Sequence, residues 1–369
     1  MKLKKKVKAK WRLVRNSIKL LKLNFYKKKY DKRLSDDNFD AKKIKRILLL
    51  RWDNKLGDAI MCGGFISLLK KYRPDIHISV LTGNTTKEWL EKSSPADEYI
   101  IYNKSNLNNI IKEYAGKFDL FVDLGTHYSH KDLYVSSRLQ ASHYMGFNKE
   151  KYNLFDVNID ARFNHFKERY SAAAQLLISK EIDFPKLLPV PDFSKELKCI
   201  RDLIDKIPHE NVVAINLFGS GKYRKFSFNE AKHLLEKWRK EYPEDLLVII
   251  PTPNEEKFIS SLLRDMNDPR VISPAYKACF EMSLAIIDIA DFTFTPDTAV
   301  VHMGTAIDKP IIGVYRYNMQ NYEEWKPLAK YSQSIINRKP YFDNDSVYVH
   351  EFKWKDLEQA REYILKALI

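Results

Sequence analysis

Cysteine, glycine and long apolar runs are all scarce in this chain. Its three cysteines, Cys62, Cys199 and Cys279, stand far apart and without metal-ligand spacing. That excludes a disulfide-stapled scaffold and suits reduced thiols in a reducing compartment. No run approaches the roughly 20 apolar residues that a bilayer-crossing helix needs. Glycine supplies 11 of 369 residues, well under the usual share of roughly 7%. Acid is scarcest at the start, where Asp31 is the one acidic residue among the first 33, against 15 Lys or Arg.

What is present is a globular composition: 44% hydrophobic, 13% aromatic and 30% charged residues. Such a chain buries sizeable cores, which excludes wholesale disorder, and its length suggests two or three domains. The net charge of +15 is not spread over it. Residues 1–33 carry +14 and the remaining 336 only +1. Nucleic-acid binding by a basic face of the folded part is therefore not expected, and the basic segment has a task of its own. Leu3, Val7, Trp11, Val14, Ile18, Leu21 and Phe25 recur in it at steps of three or four, so a helix there presents one apolar stripe within a cationic surround. It has no continuous apolar core or small-residue cleavage site of a signal peptide. The pattern suits a helix lying in an anionic membrane surface through residues 1–33. The competing readings are a helix docked on its own domain and a nucleic-acid arm.

From Lys45 onward strand and helix alternate. Strands are predicted at Arg46–Trp52, Ile76–Thr82, Tyr99–Tyr102 and Leu120–Asp123, with a helix over Asp58–Tyr72. After a proline-bearing stretch at Pro185–Phe193 and a helix near Lys195–Lys206, the alternation restarts. Strands at Val212–Leu217, Leu246–Ile250, Phe292–Thr295 and Pro310–Val314 then alternate with helices at Asn229–Tyr242, Glu255–Met266, Glu281–Ile289 and Thr298–Ile307, and a helix at Lys355–Ala367 ends the chain. Uninterrupted Val/Ile/Leu strands between helices imply an α/β fold of two Rossmann-like doubly wound domains facing a cleft. The expected divisions are a basic tail and linker (1–40) and two Rossmann-like domains (41–190 and 191–369), with the last helix able to pack back on the first domain.

Ligands of such sheets bind beyond the carboxyl ends of strands, and three loops there carry chemistry. In Arg51-Trp52-Asp53-Asn54-Lys55-Leu56-Gly57-Asp58, Gly57 permits a tight turn and Asp58 falls at or near the helix start, where capping is its plainest use. This loop has neither G-x-G-x-x-G nor a Walker A sequence, so no dinucleotide or P-loop site is expected in it. In Gly219-Ser220-Gly221-Lys222-Tyr223-Arg224, small residues followed by cations suit a diphosphate. In Thr295-Pro296-Asp297-Thr298-Ala299-Val300-Val301-His302, Asp297 and Thr298 open a helix whose free N–H groups accept phosphate oxygens, and His302 follows one turn on.

Together and in this order, Gly-Asp before a helix, Gly-Ser-x3-Arg, and Asp-Thr-x3-His resemble the ADP-heptose:lipopolysaccharide heptosyltransferases, glycosyltransferase family nine, of GT-B fold. The resemblance runs from about residue 46 to 330 and leaves the basic tail outside. It implies an inverting transfer of heptose from ADP-L-glycero-D-manno-heptose to the inner core of lipopolysaccharide or lipooligosaccharide, without an obligatory cofactor or metal. It implies Asp58 as general base; Gly219, Ser220, Arg224, Asp297, Thr298, Ala299 and His302 around the donor diphosphate; and Glu255 at the ribose. Two departures are visible: Ala299 stands where the family has Gly, and Lys225-Phe226-Ser227 replaces Arg-Trp-Pro. His127, Lys131 and Arg138 are candidates to meet an anionic acceptor sugar, such as Kdo or a phosphorylated core residue. Asp343-Asn344-Asp345 imitates a metal-binding D-x-D but reads as a solvated turn. The expected partners are ADP-heptose, a lipid-anchored core oligosaccharide and the anionic inner leaflet, with no nucleic acid, placing the chain on the cytoplasmic face of the bacterial inner membrane. The alternatives are a same-fold transferase using another nucleotide sugar and a non-catalytic membrane-associated scaffold.

Overall fold

A computed structural model describes residues 2–369 apart from Asp36, His127, Ala161, Phe163, Asn164, Tyr276 and residues 338–346, and gives the backbone alone for residues 2–10, 12 and 13. The first element is a long helix, α1 (Lys2–Tyr30). Strands β1 (Arg46–Arg51), β2 (His77–Thr82), β3 (Glu98–Ile101), β4 (Leu120–Asp123), β5 (His143–Phe147) and β6 (Val157–Ile159) then alternate with helices α2 (Leu56–Tyr72), α3 (Asn84–Ser93), α4 (Leu107–Tyr114) and α5 (His130–Leu139), and α6 (Phe166–Ile178) follows. The six strands form one parallel sheet in the order β3-β2-β1-β4-β5-β6. In β1 every residue after Arg46 is buried, as expected of a strand covered on both faces. Leu48 and Leu50 on one face join Phe121, Leu133, Leu139 and Tyr144 in a core that also receives Leu23, Tyr26 and Tyr30 from α1.

The second set comprises α7 (Ser194–Ile204), β7 (Asn211–Ile215), α8 (Phe228–Glu241), β8 (Asp245–Ile249), α9 (Glu256–Met266), β9 (Val271–Ile272), α10 (Phe280–Ile289), β10 (Phe292–Pro296), α11 (Ala299–Ala306), β11 (Ile311–Arg316), α12 (Met319–Trp325), β12 (Ser332–Asn337) and α13 (Trp354–Leu368). Its parallel sheet runs β12-β11-β10-β7-β8-β9. In both sheets, then, the first strand lies beside the fourth at the centre, and the chain winds outward from there in both directions. The loops after β1 and β4, and after β7 and β10, therefore flank the two switch points where α/β sheets hold ligands.

By its contacts the chain divides into two compact units: Met1–Asn54 with Phe65–Lys87 and Pro95–Phe184, and Pro185–Ile369 with Lys55–Gly64 and Glu88–Ser94. The first turns of α2, with Gly57 and Asp58, thus belong to the second unit. The last helix, α13, is seated on the second sheet. Leu357, Ala360 and Ile364 of α13 are buried with Val213, Trp238 and Phe292, inside the core of the second sheet. Hydrophobic spacing alone shows that a helix has an apolar face, not which sheet will cover it.

Candidate active site

In the second unit two loops are stitched together by one buried amide. Strand β7 ends at Ile215, one residue before Asn216, which is 1% exposed. The Asn216 Nδ2 donates to Thr295 Oγ1 at 2.9 Å and to Thr298 Oγ1 at 3.0 Å, while its Oδ1 accepts from the Phe218 N–H at 3.1 Å. Thr298 is the N-cap of α11, its hydroxyl accepting from the Val300 N–H at 3.2 Å. The turn after β7 and the helix start after β10 are thereby held in fixed register. They also touch at Gly219, where a Cβ would fall 2.7 Å from the Arg224 carbonyl oxygen and 2.7 Å from Thr298 Cγ2. A residue without a side chain is needed at that crossing.

Arg224 closes the short 3-10 turn Lys222–Arg224, and its guanidinium lies 3.1 Å from Asp297 Oδ2. The same oxygen accepts from Asn321 Nδ2 of α12 at 2.9 Å. Burial pushes the Asp297 carboxyl above its ordinary range, against the opposing pull of Arg224, Asn321 and Arg316. His302, 4% exposed on α11, meets Trp325 edge to face at 5.3 Å. Gly57 also lies against this imidazole, since a Cβ there would fall 2.4 Å from His302 Cδ2. Asp58 is the third residue of α2, inside the first turn, and 6% exposed. The Gly-Asp turn and the Asp-Thr-x3-His helix therefore meet. Glu255, at the N-cap position of α9, forms an ion pair with Lys225, whose ammonium lies 5.5 Å from the Phe218 ring centre. Ser220 is exposed at the tip of its turn, and Ala299 is partly exposed as the first residue of α11.

The acceptor candidates are less concentrated. Lys131 in the first turn of α5 donates to the Tyr102 hydroxyl at 3.0 Å. Arg138 is exposed in the last turn, about 10 Å further along the helix and toward the amino ends of the strands. The two are not brought together. His127 lies outside the described residues, as does Asp343-Asn344-Asp345. Among the described residues no group of three or more His, Cys, Asp or Glu is placed to hold a metal ion.

Asn216 and Asn321 were missed by sequence reasoning. The available signal was a polar residue closing an otherwise apolar strand, Val212–Ile215 followed by Asn216. For Asn321, in a short helix of mixed composition, no comparable signal exists.

The profile of Glycosyltransferase family 9 (heptosyltransferase) matches residues 111–350, well over half the chain. The chain belongs to this family. The span includes the loops from Gly219 to His302 but begins beyond Asp58. Among proteins similar to this family 9 member is "Putative lipopolysaccharide heptosyltransferase 4" of Escherichia coli (strain K12), 23% identical over 314 residues that cover 81% of this chain and 82% of the relative. Its fold matches that of E. coli ADP-heptose lps heptosyltransferase II, with a TM-score of 0.63 and 15% identity over 88% of this chain and 100% of the other. E. coli heptosyltransferase WaaC with ADP-2-deoxy-2-fluoro heptose matches with a TM-score of 0.57 and 13% identity over 86% and 99%. The family 9 chain is thus a glycosyltransferase with the GT-B arrangement of two Rossmann-like domains.

Proposed function

We propose that the chain transfers heptose, with inversion, from ADP-L-glycero-D-manno-heptose to the inner core of lipopolysaccharide, as a peripheral enzyme on the cytoplasmic face of the inner membrane. One observation supports the donor side most directly. The Asn216 amide ties the Gly219–Arg224 turn to the Asp297–Thr298 helix start, so small residues, free helix N–H groups and a guanidinium converge where a diphosphate fits. The structure of the relative WaaC with an ADP-sugar analogue supports the same class of donor.

In this reading Asp58 takes the acceptor hydroxyl proton as the oxygen attacks the anomeric carbon. The bond from that carbon to the diphosphate breaks, and ADP leaves with the electron pair. Arg224, the Thr298 helix start and His302 stabilise the charge gathering on ADP. Lys225 holds Glu255, whose other carboxylate oxygen is left to the ribose hydroxyls. The cations of the chain take the place a metal would otherwise fill, so no cofactor is required. Lys131 offers the acceptor side an ammonium group; Arg138, on the far turn of α5, does not share that place.

Replacing Asp58 by Asn tests the reading. Transfer from ADP-heptose is expected to fall by about 10²–10⁴-fold while ADP affinity, read by calorimetry, stays within threefold. Full activity in Asp58→Asn, or turnover of another nucleotide sugar in preference to ADP-heptose, would overturn the base or the donor respectively.

A further inference from the structure

Helix α1 presents two faces with different fates. At its C-terminal end it is fastened to the first unit. Leu23, Tyr26 and Tyr30 pack into the core beside α5, with Tyr26 5.2 Å from the His130 ring and Tyr30 5.3 Å from Tyr134. Asp31, buried just past the helix, accepts the Leu154 N–H at 3.0 Å, and Lys27 Nζ donates to the Lys151 carbonyl at 2.7 Å. The one acid of the first 33 residues is thus spent on the anchor. The apolar stripe takes no part in it. Trp11, Val14, Ile18, Leu21 and Phe25 are 66, 51, 48, 69 and 64% exposed. With 3.6 residues per turn they fall within an arc of about 80°, roughly 130° around the helix from the anchored residues. Large side chains so exposed, in one row, on a helix holding thirteen Lys or Arg and no acid, need an anionic apolar partner.

We propose that α1 lies in the plane of an anionic phospholipid surface, with the Trp11–Phe25 stripe among the acyl chains and its Lys and Arg among the headgroup phosphates. The Leu23–Asp31 anchor then fixes how the first unit is presented to that surface. Because Tyr26 abuts His130, the first residue of α5, the body of α1, about 10 Å across, separates the membrane-facing stripe from the turn that carries Lys131. The proposal deepens the reading of a lipid-anchored acceptor and rests on it only for its purpose, since the surface itself is tested without any acceptor.

The test uses the full chain with vesicles of phosphatidylethanolamine and phosphatidylglycerol (3:1) and, as control, phosphatidylcholine. The chain is expected to sediment with the anionic vesicles and not with the neutral ones. The emission of Trp11, taken as the difference between parent and Trp11→Phe, is expected to shift to the blue. Ile18→Glu with Leu21→Glu, both on exposed positions, is expected to reduce binding to anionic vesicles by about tenfold or more, with thermal stability and ADP affinity unchanged. Tyr26→Ala with Tyr30→Ala is expected to speed hydrogen exchange along α1 while vesicle binding stays within threefold. Equal vesicle binding by the stripe variant overturns the proposal. So does a lipid-free dimer, seen by sedimentation velocity, that the stripe variant abolishes, because the face then belongs to a second copy. Asp58→Asn is expected to bind vesicles like the parent, so failure of the transfer chemistry and failure of the surface are read separately.

Discussion

At the scale of single residues, the proposed donor side carries both a steric and an electrostatic constraint. Gly219 sits where two backbone segments cross, and an added methyl meets the Arg224 carbonyl, which moves only if the 3-10 turn moves. Gly219→Ala is expected to cost about 1–3 kcal/mol in stability and to weaken ADP binding more than Ser220→Ala does. Thermal unfolding and calorimetry check it, and an unchanged ADP affinity would remove this crossing from the site. Asp297 gives the electrostatic case. Its folded pKa is raised by burial, so above that value folding must keep a desolvated carboxylate, and the penalty fades as pH falls toward the ordinary range near 4. Asp297→Asn is therefore expected to unfold at a higher temperature than the parent at pH 7–8, with the gain holding down to the raised pKa and shrinking below it. A variant less stable than the parent across the whole range would show that the ion pair with Arg224 outweighs the burial.

At the scale of elements, the placement of α13 depends on one carboxylate. Asp245, at the start of β8 and 1% exposed, accepts from Arg361 twice, at 2.7 and 3.2 Å, from Trp238 Nε1 at 2.9 Å and from Asn211 Nδ2 at 2.9 Å. It joins β7, α8 and α13 at one point. Asp245→Ala strands a part-buried guanidinium beside two further unpaired donors and is expected to cost about 3–5 kcal/mol, measured by denaturant unfolding; a loss below 1 kcal/mol would show that apolar packing alone seats α13. Such long-range ties explain what the sequence did and did not disclose. β1 and β8 are legible because their apolar residues are continuous. β5, reading His-Tyr-Met-Gly-Phe, is fully buried but has no Val, Ile or Leu and opens on a histidine, His143, satisfied by Asp156 at 2.6 Å, thirteen residues away. β6 and β9 have three and two residues, and β12 opens Ser-Gln-Ser at a sheet edge where one side stays wet. Of the candidate site, the residues proposed to face ligand were picked out by their type and loop. Asn216 and Asn321, which hold those residues in place, were not, because an asparagine reveals its task only when its partners are known.

At the scale of the whole molecule, charge and fold are separated along the chain. Removing residues 1–33 takes the formal charge from +15 to +1 and also removes Leu23, Tyr26, Tyr30 and Asp31 from the first core. The truncated chain is therefore expected to lose anionic vesicle binding and to unfold at a somewhat lower temperature, while ADP affinity holds. For the full chain, raising salt to 1 M is expected to weaken vesicle binding with no change in unfolding temperature, since screening reaches the exposed lysines and not the buried anchor. An equal fall in both would show that the anchor itself is electrostatic. The membrane-bound state proposed for α1 would also change how a reaction partner is found. A chain held flat by α1 tumbles about one axis instead of three, and its encounters with molecules in the same leaflet become a search across a plane. The rate then follows the number of acceptor molecules per unit area of membrane. Diluting the whole suspension leaves that number, and so the turnover of each bound chain, unchanged.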